Sequence, residues 1–144
     1  MKNQIKQILW VGYPEVSSRQ SADKLKSIGY VVTSVASEAA ALTQAKLRPF
    51  DLFVIDEWLT ETSGLEFCQV LRSFDGTTPI LLLAAEVTKP TFFSALRSGA
   101  QWLLQKPVEP YDLIATVTRL ICYGERKEQG KTLEYALNNP PRHI

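Results

Sequence analysis

A three-layer α/β sandwich built on a parallel sheet is the fold class this sequence predicts. Three observations predict it. Short apolar runs alternate with amphipathic runs five times along the 144 residues. The runs at 51–56 and 79–84 are apolar on both faces, as strands are at the centre of a parallel sheet covered on each side by helices. The connections are short, and right-handed crossovers between parallel strands place helices on both faces of the sheet.

Each element follows from local chemistry. Residues 7–12, apolar nearly throughout, predict the first strand. Ala22, Leu25 and Ile28 lie three apart and predict a helix that Gly29 stops. Residues 29–35, rich in β-branched side chains, predict the second strand. Ser37 is the expected cap of a helix carrying Ala39, Leu42 and Ala45, which Pro49 ends. Residues 51–56 are the third strand, after which Ser63-Gly64 opens a helix with Leu65, Cys68 and Leu71 on one face. Residues 79–84 are the fourth strand. Thr88 then caps a helix with Pro90 in its first turn, Phe92, Ala95 and Leu96 inward, and Gly99 at its end. Residues 101–104 predict a shorter fifth strand. The last helix starts near Pro110 and runs to Cys122, with two apolar stripes, Leu113, Val117 and Leu120 beside Ile114 and Ile121, before a stop at Gly124. Residues 1–124 are thus expected to form one domain. Residues 125–144 read as a tail or linker, with a charged joint at 125–129 and a weak helical pattern at Leu133, Ala136 and Leu137.

Composition narrows the function. Sixteen Lys+Arg against fifteen Asp+Glu leave a net charge of +1, with no block of like charge. A protein that neutralises nucleic-acid phosphates shows a basic excess or stripe, so no nucleic-acid partner is expected. The longest apolar run, 80–85, is far too short to cross a bilayer, and the first residues lack the apolar run of a secretory signal. A cytoplasmic location with no membrane partner is the expectation. Cys68 and Cys122 both fall within apolar helical patterns and are expected to be buried thiols. The single histidine, His143, removes most histidine-based catalysis and His-rich metal sites.

In an open parallel α/β sheet, ligands bind beyond the carboxyl ends of the strands. Gly12, Tyr13, Asp56, Ala84 and Lys106 are the residues this rule selects. A carboxylate at the end of one strand and an ammonium after another form a plausible phosphoryl-handling pair, nucleophile and charge-balancing cation. The plain structural reading of the same two residues is a partly exposed ion pair at the sheet edge, worth ~1 kcal/mol.

The sequence resembles the receiver domain of two-component response regulators over roughly residues 7–122. The resemblance rests on Asp51-Leu-Phe-Val-Ile-Asp56 followed by Gly64-Leu-Glu, on Thr78-Pro-Ile-Leu-Leu-Leu-Ala-Ala85, and on Ala95-Leu-Arg-Ser-Gly-Ala-Gln-Trp-Leu-Leu-Gln-Lys106-Pro107. It implies a flavodoxin-like (CheY-like) sandwich, a five-stranded sheet of order 2-1-3-4-5 with five helices. It also implies Asp56 as the phosphoacceptor, Lys106 as the phosphate-binding lysine and Pro107 as a cis-proline candidate. The implied function is a signalling module rather than an enzyme. Its partners would be proteins: a histidine kinase, an output domain or another receiver.

The departures from the family pattern are specific. Receivers hold Mg²⁺ through an acidic pair after the first strand, where this chain has Gly12 and Tyr13. Mg²⁺ requires oxygen ligands in near-octahedral array, and these two residues supply no carboxylate. Unless Glu15 or Glu57 swings in, Asp56 is the inner site's only acid. Ala84 replaces the hydroxyl residue after the fourth strand, and Leu103 the aromatic switch residue of the fifth. Glu57 and Trp58 form the expected rim of the pocket. Phosphoryl transfer depends on neutralising charge on the equatorial oxygens, a task left to Lys106. The expectation is therefore a degenerate receiver, or pseudo-receiver, with impaired or absent Mg-dependent phosphorylation and neither cofactor nor metal. One alternative is a phosphorylatable receiver using Asp56 and Mg²⁺. Another is a small-ligand-binding domain on the same fold, disfavoured by the absence of a glycine-rich phosphate cradle after the first strand. Phe93, Trp102 and Ile114 mark an expected apolar surface formed by the fourth helix, fifth strand and fifth helix, which serves receivers for partner binding and homodimers.

Overall fold

The computed structural model describes residues 4–12, 16–57, 59 and 62–128. Five strands and five helices alternate along them: β1 (Gln7–Val11), α1 (Val16–Ser27), β2 (Val31–Val35), α2 (Glu38–Leu47), β3 (Leu52–Asp56), α3 (Gly64–Arg72), β4 (Ile80–Ala84), α4 (Lys89–Arg97), β5 (Trp102–Gln105) and α5 (Pro110–Glu128). All neighbouring strands pair in parallel in the order β2-β1-β3-β4-β5. This is the flavodoxin-like arrangement that the sequence implies.

Every residue of β3 and β4 is buried, so their two-sided apolarity is satisfied by helices on both faces. Successive side chains of a strand point to opposite faces, which sorts the apolar residues into two cores. Leu9, Val11, Phe53, Ile55, Ile80 and Leu82 pack with Phe67, Cys68 and Leu71 of α3 and Ala95 of α4. Ile8, Trp10, Leu52, Val54, Leu81 and Leu83 pack with Leu25 of α1 and Leu113, Val117 and Ile121 of α5.

The helix starts follow the sequence signals closely. Ser37 accepts from the Ala40 N–H, and Ser63 from the Glu66 N–H. Thr88 accepts from the Thr91 N–H, with Pro90 in the first turn. Each satisfies a backbone donor that the first helical turn leaves open.

The inward assignment of Leu96 fails because a stripe of apolar residues does not reveal how its helix is rotated over the sheet. Leu96 faces solvent at 40% exposure, and Ala39 and Ile28 are also exposed. Cys122 is exposed, so only Cys68 is a core thiol. The predicted stop at Gly124 does not occur, since α5 runs on to Glu128. A Cβ on Gly124 would lie 3.0 Å from Pro79 Cδ, so the glycine marks a close passage of α5 over the start of β4 rather than an end. The tail pattern at Leu133, Ala136 and Leu137 lies outside the described residues, as do Tyr13, Glu15 and Trp58. Among the described residues, no helix is long and apolar enough to cross a membrane.

Candidate functional site

The carboxyl ends of β1, β3, β4 and β5 meet at one edge of the sheet, and the residues selected from sequence converge there. Asp56 closes β3 and is 2% exposed. Lys106 follows β5, anchored by its backbone N–H, which donates to the Ala84 carbonyl at 2.7 Å. Its side chain reaches past the end of β4, where Nζ donates to both Asp56 carboxylate oxygens, at 2.9 and 3.1 Å. Asp56 is buried and Lys106 partly exposed, so the pair is only partly open to solvent, as the plain reading expects. Its lysine side chain keeps 16% exposure and its aspartate 3%. A carboxylate held so far from water needs such a partner, because an uncompensated buried charge is costly. The Lys106–Pro107 peptide is cis.

Gly12 lies against the other side of Asp56. Its φ is +151°, and a Cβ there would fall 2.5 Å from Asp56 Cβ. The glycine is therefore needed for the approach of β1's end to the carboxylate, and a side chain would have no room. Mg²⁺ needs several oxygen donors, and few converge here. Gly12 contributes no side-chain oxygen, and both Asp56 oxygens already accept from Lys106. No group of three or more His, Cys, Asp or Glu able to hold a metal ion occurs among the described residues.

Ala84 and Leu103 are both buried and join the α3–α4 core. Neither offers a hydroxyl to the site. Glu57 accepts through Oε1 from the Ala85 N–H at 2.9 Å. Two contributors were missed from sequence. Gln105, the last residue of β5, accepts through Oε1 from the Val87 N–H at 3.0 Å. Glu38, buried in the first turn of α2, accepts from the Thr62 N–H at 2.9 Å and so ties that helix to the segment after β3. Placement after Ser37, in the first turn of a capped helix, was the one local signal for Glu38. Gln105 carried none, because its partner lies on another connection.

Chemically, the described residues at this edge place a buried carboxylate against an ammonium that donates to both of its oxygens.

The apolar surface is only partly as expected. Phe93 and Trp102 are 52% and 44% exposed. Phe92 meets Trp102 edge-on at 5.2 Å between centroids and Phe93 at 5.9 Å. Ile114 is partly buried, packed against the core between α5 and the sheet, and Ile121 is buried there. α5 contacts β3, β4 and α1 together, and this broad footing takes up both of its stripes.

Comparisons with known proteins agree on one family. Residues 15–118 match the response regulator receiver domain. Protein RcaC of Microchaete diplosiphon is 29% identical over 117 residues, 81% of this chain and 18% of that protein. The DNA-binding response regulator MtrA of Mycolicibacterium paratuberculosis is 34% identical over 94 residues, 65% of this chain and 41% of that protein. The chain thus spans less than half the length of either relative. Among solved structures, the chemotaxis response regulator CheY4 of Vibrio cholerae superposes with a TM-score of 0.74 at 30% identity, covering 81% of this chain and 99% of that one. A CheY-like receiver domain protein of Methanospirillum hungatei reaches 0.79 at 21% identity, covering 86% and 99% respectively, a likeness of fold.

Proposed function

The chain belongs to the response regulator receiver domain family, and on that premise we propose that it is an atypical receiver acting as a protein-interaction module in two-component signalling, with Mg-dependent phosphorylation of Asp56 impaired. Receiver domains are signalling modules rather than classical enzymes. One observation carries the reading: Asp56 is enclosed between the Lys106 ammonium and the Gly12 backbone, and among the described residues no group of three or more His, Cys, Asp or Glu is placed to hold a metal ion. Lys106 and Asp56 stabilise each other in a resting pair, free of the like-charge repulsion that an adjacent acid would bring.

Mg²⁺ with beryllofluoride, a phosphoryl mimic, tests this in the intact chain. The expected outcome is no saturable change in amide chemical shifts around Asp56 and Ala85. A saturable response requiring both components would overturn the reading in favour of a phosphorylatable receiver. That second reading is favoured by the retained Asp56–Lys106 pair itself, with Lys106 as the phosphate-binding residue. The small-ligand reading has no comparable support, since the β1–α1 connection holds Gly12 and no glycine-rich cradle.

The partner in this proposal is a protein: a histidine kinase, an output domain or another receiver. Phe93 and Trp102, at the α4–β5 side, are the proposed contact residues, for that partner or for a second copy of the chain. The near-neutral charge gives no support to nucleic-acid binding by this segment, and the proposed location is the cytoplasm.

A further inference from the structure

The connection between β4 and α4 is held by side chains from the strands on either side of β4. From the end of β3, Glu57 Oε1 accepts the Ala85 N–H at 2.9 Å. From β5, Gln105 Oε1 accepts the Val87 N–H at 3.0 Å. These two amides lie beyond the last pairing of β4 and before the Thr88 cap, where neither sheet nor helix supplies a carbonyl. A connection of this kind ordinarily leaves such donors to water and stays free to move. Here the carbonyl of Ala84 is also taken, by the Lys106 N–H. Immediately downstream, Thr88 and Thr91 close the first turn of α4 with a reciprocal pair of bonds. Val87 packs against the same core as Phe92, and Phe92 carries the edge-on contact to Trp102.

We infer that Glu57 and Gln105 form a two-sided latch that holds the β4–α4 connection, and with it the Phe92–Phe93–Trp102 surface, in one arrangement. Neither acceptor belongs to the Asp56–Lys106 pair, so the latch does not depend on the proposed loss of phosphorylation. Each bond is single and near the surface, so each contributes modestly. Acting on alternate amides, and from opposite sides, they restrain the connection at two points rather than one. The acceptor atom, not the charge, is what the geometry uses at Glu57.

Residue-resolved amide hydrogen exchange on the full chain tests this. Glu57→Ala is expected to speed exchange at Ala85, and Gln105→Ala at Val87, each about five- to tenfold, the loss of one ordinary hydrogen bond. Glu57→Gln, which keeps an oxygen acceptor, is expected to retain the Ala85 protection. The double alanine variant is expected to broaden or split the Phe92 and Trp102 ring signals while β3 and β4 amides keep their protection. Unchanged exchange at Val87 in Gln105→Ala, or at Ala85 in Glu57→Ala, would overturn the latch. If Glu57→Ala does not fold, Gln105→Ala and Glu57→Gln still decide it: loss of Ala85 protection in Glu57→Gln with global stability intact would show a charge effect and sink the acceptor role. A saturable beryllofluoride response would overturn the impaired phosphorylation alone, because the latch stands or falls on these exchange rates.

Discussion

Gly12 touches Asp56 so closely that a Cβ on the glycine would stand 2.5 Å from the Cβ of the aspartate. The backbone there has φ +151°, a conformation that side chains other than glycine rarely adopt. The end of β1 is thus shaped in this chain for the absence of a side chain.

Gly12→Asp is accordingly expected to destabilise the protein by about 1–3 kcal/mol, the scale of a non-glycine residue held in a disfavoured backbone region. It is not expected to create Mg²⁺ affinity. Urea unfolding with and without Mg²⁺ measures both. A midpoint raised by Mg²⁺ in the variant would contradict this account of the site.

Replacing Lys106 is expected to cost more than replacing its partner. Lys106→Met leaves the Asp56 carboxylate buried without its cation, a loss of about 3–5 kcal/mol. Asp56→Asn removes the charge and retains an amide for nearby donors, so its cost is expected to be smaller. The double variant should recover part of the Lys106→Met loss, because no ion is then left unpaired. A double-mutant cycle from denaturant midpoints tests the ordering, and simple additivity would refute the coupling.

Asp75 supplies an acid-sensitive contact remote from the site. Burial pushes its carboxyl pKa up, but the N–H groups of Thr78 and Thr77, the Thr78 hydroxyl and the charge of Arg72 together hold it below the ordinary value. A depressed carboxyl contributes stability above its unfolded-state pKa and loses it as pH falls through the folded one. Asp75→Ala is expected to cost about 1–2 kcal/mol near pH 7. The difference from wild type should shrink as pH is lowered below the usual carboxylate range. Equal differences at about pH 7 and about pH 2.5 would exclude this linkage.

The two thiols should react differently. Burial pushes the Cys68 thiol up to about 12, partly opposed by Arg72, whereas Cys122 is exposed. An aromatic disulfide reagent at about pH 8 is expected to titrate one thiol of the native protein, and the second after unfolding. Cys122→Ser should abolish the native reaction. A group raised in this way favours folding below its unfolded pKa, with the contribution falling as pH rises from about 8.5 towards 12.

Phe93 offers a test of the exposed aromatic surface. Phe93→Ser is expected to change stability by no more than about 0.5 kcal/mol, as at most surface positions. It should weaken any self-association through the α4–β5 side. Sedimentation velocity across a concentration series would show this, and unaltered association in the variant would assign the contact elsewhere.

Local chemistry along the chain was enough to determine the alternation of elements, the caps at Ser37 and Thr88, and the doubly buried third and fourth strands. Periodicity and capping act over a few residues and can be read without the rest of the molecule. Asp56 and Lys106 were also visible, as residues at the ends of their strands. Tertiary structure decided what these residues meet. It buried Asp56 against a partly exposed Lys106, pressed Gly12 against the aspartate, turned Cys122 and Leu96 to solvent, and packed Ile114 partly against the core. It also aimed Glu57 and Gln105 at the backbone between β4 and α4. The physical reason is common to all of these: helix rotation over the sheet and contacts between different βα connections depend on residues distant in sequence, and no local pattern records them.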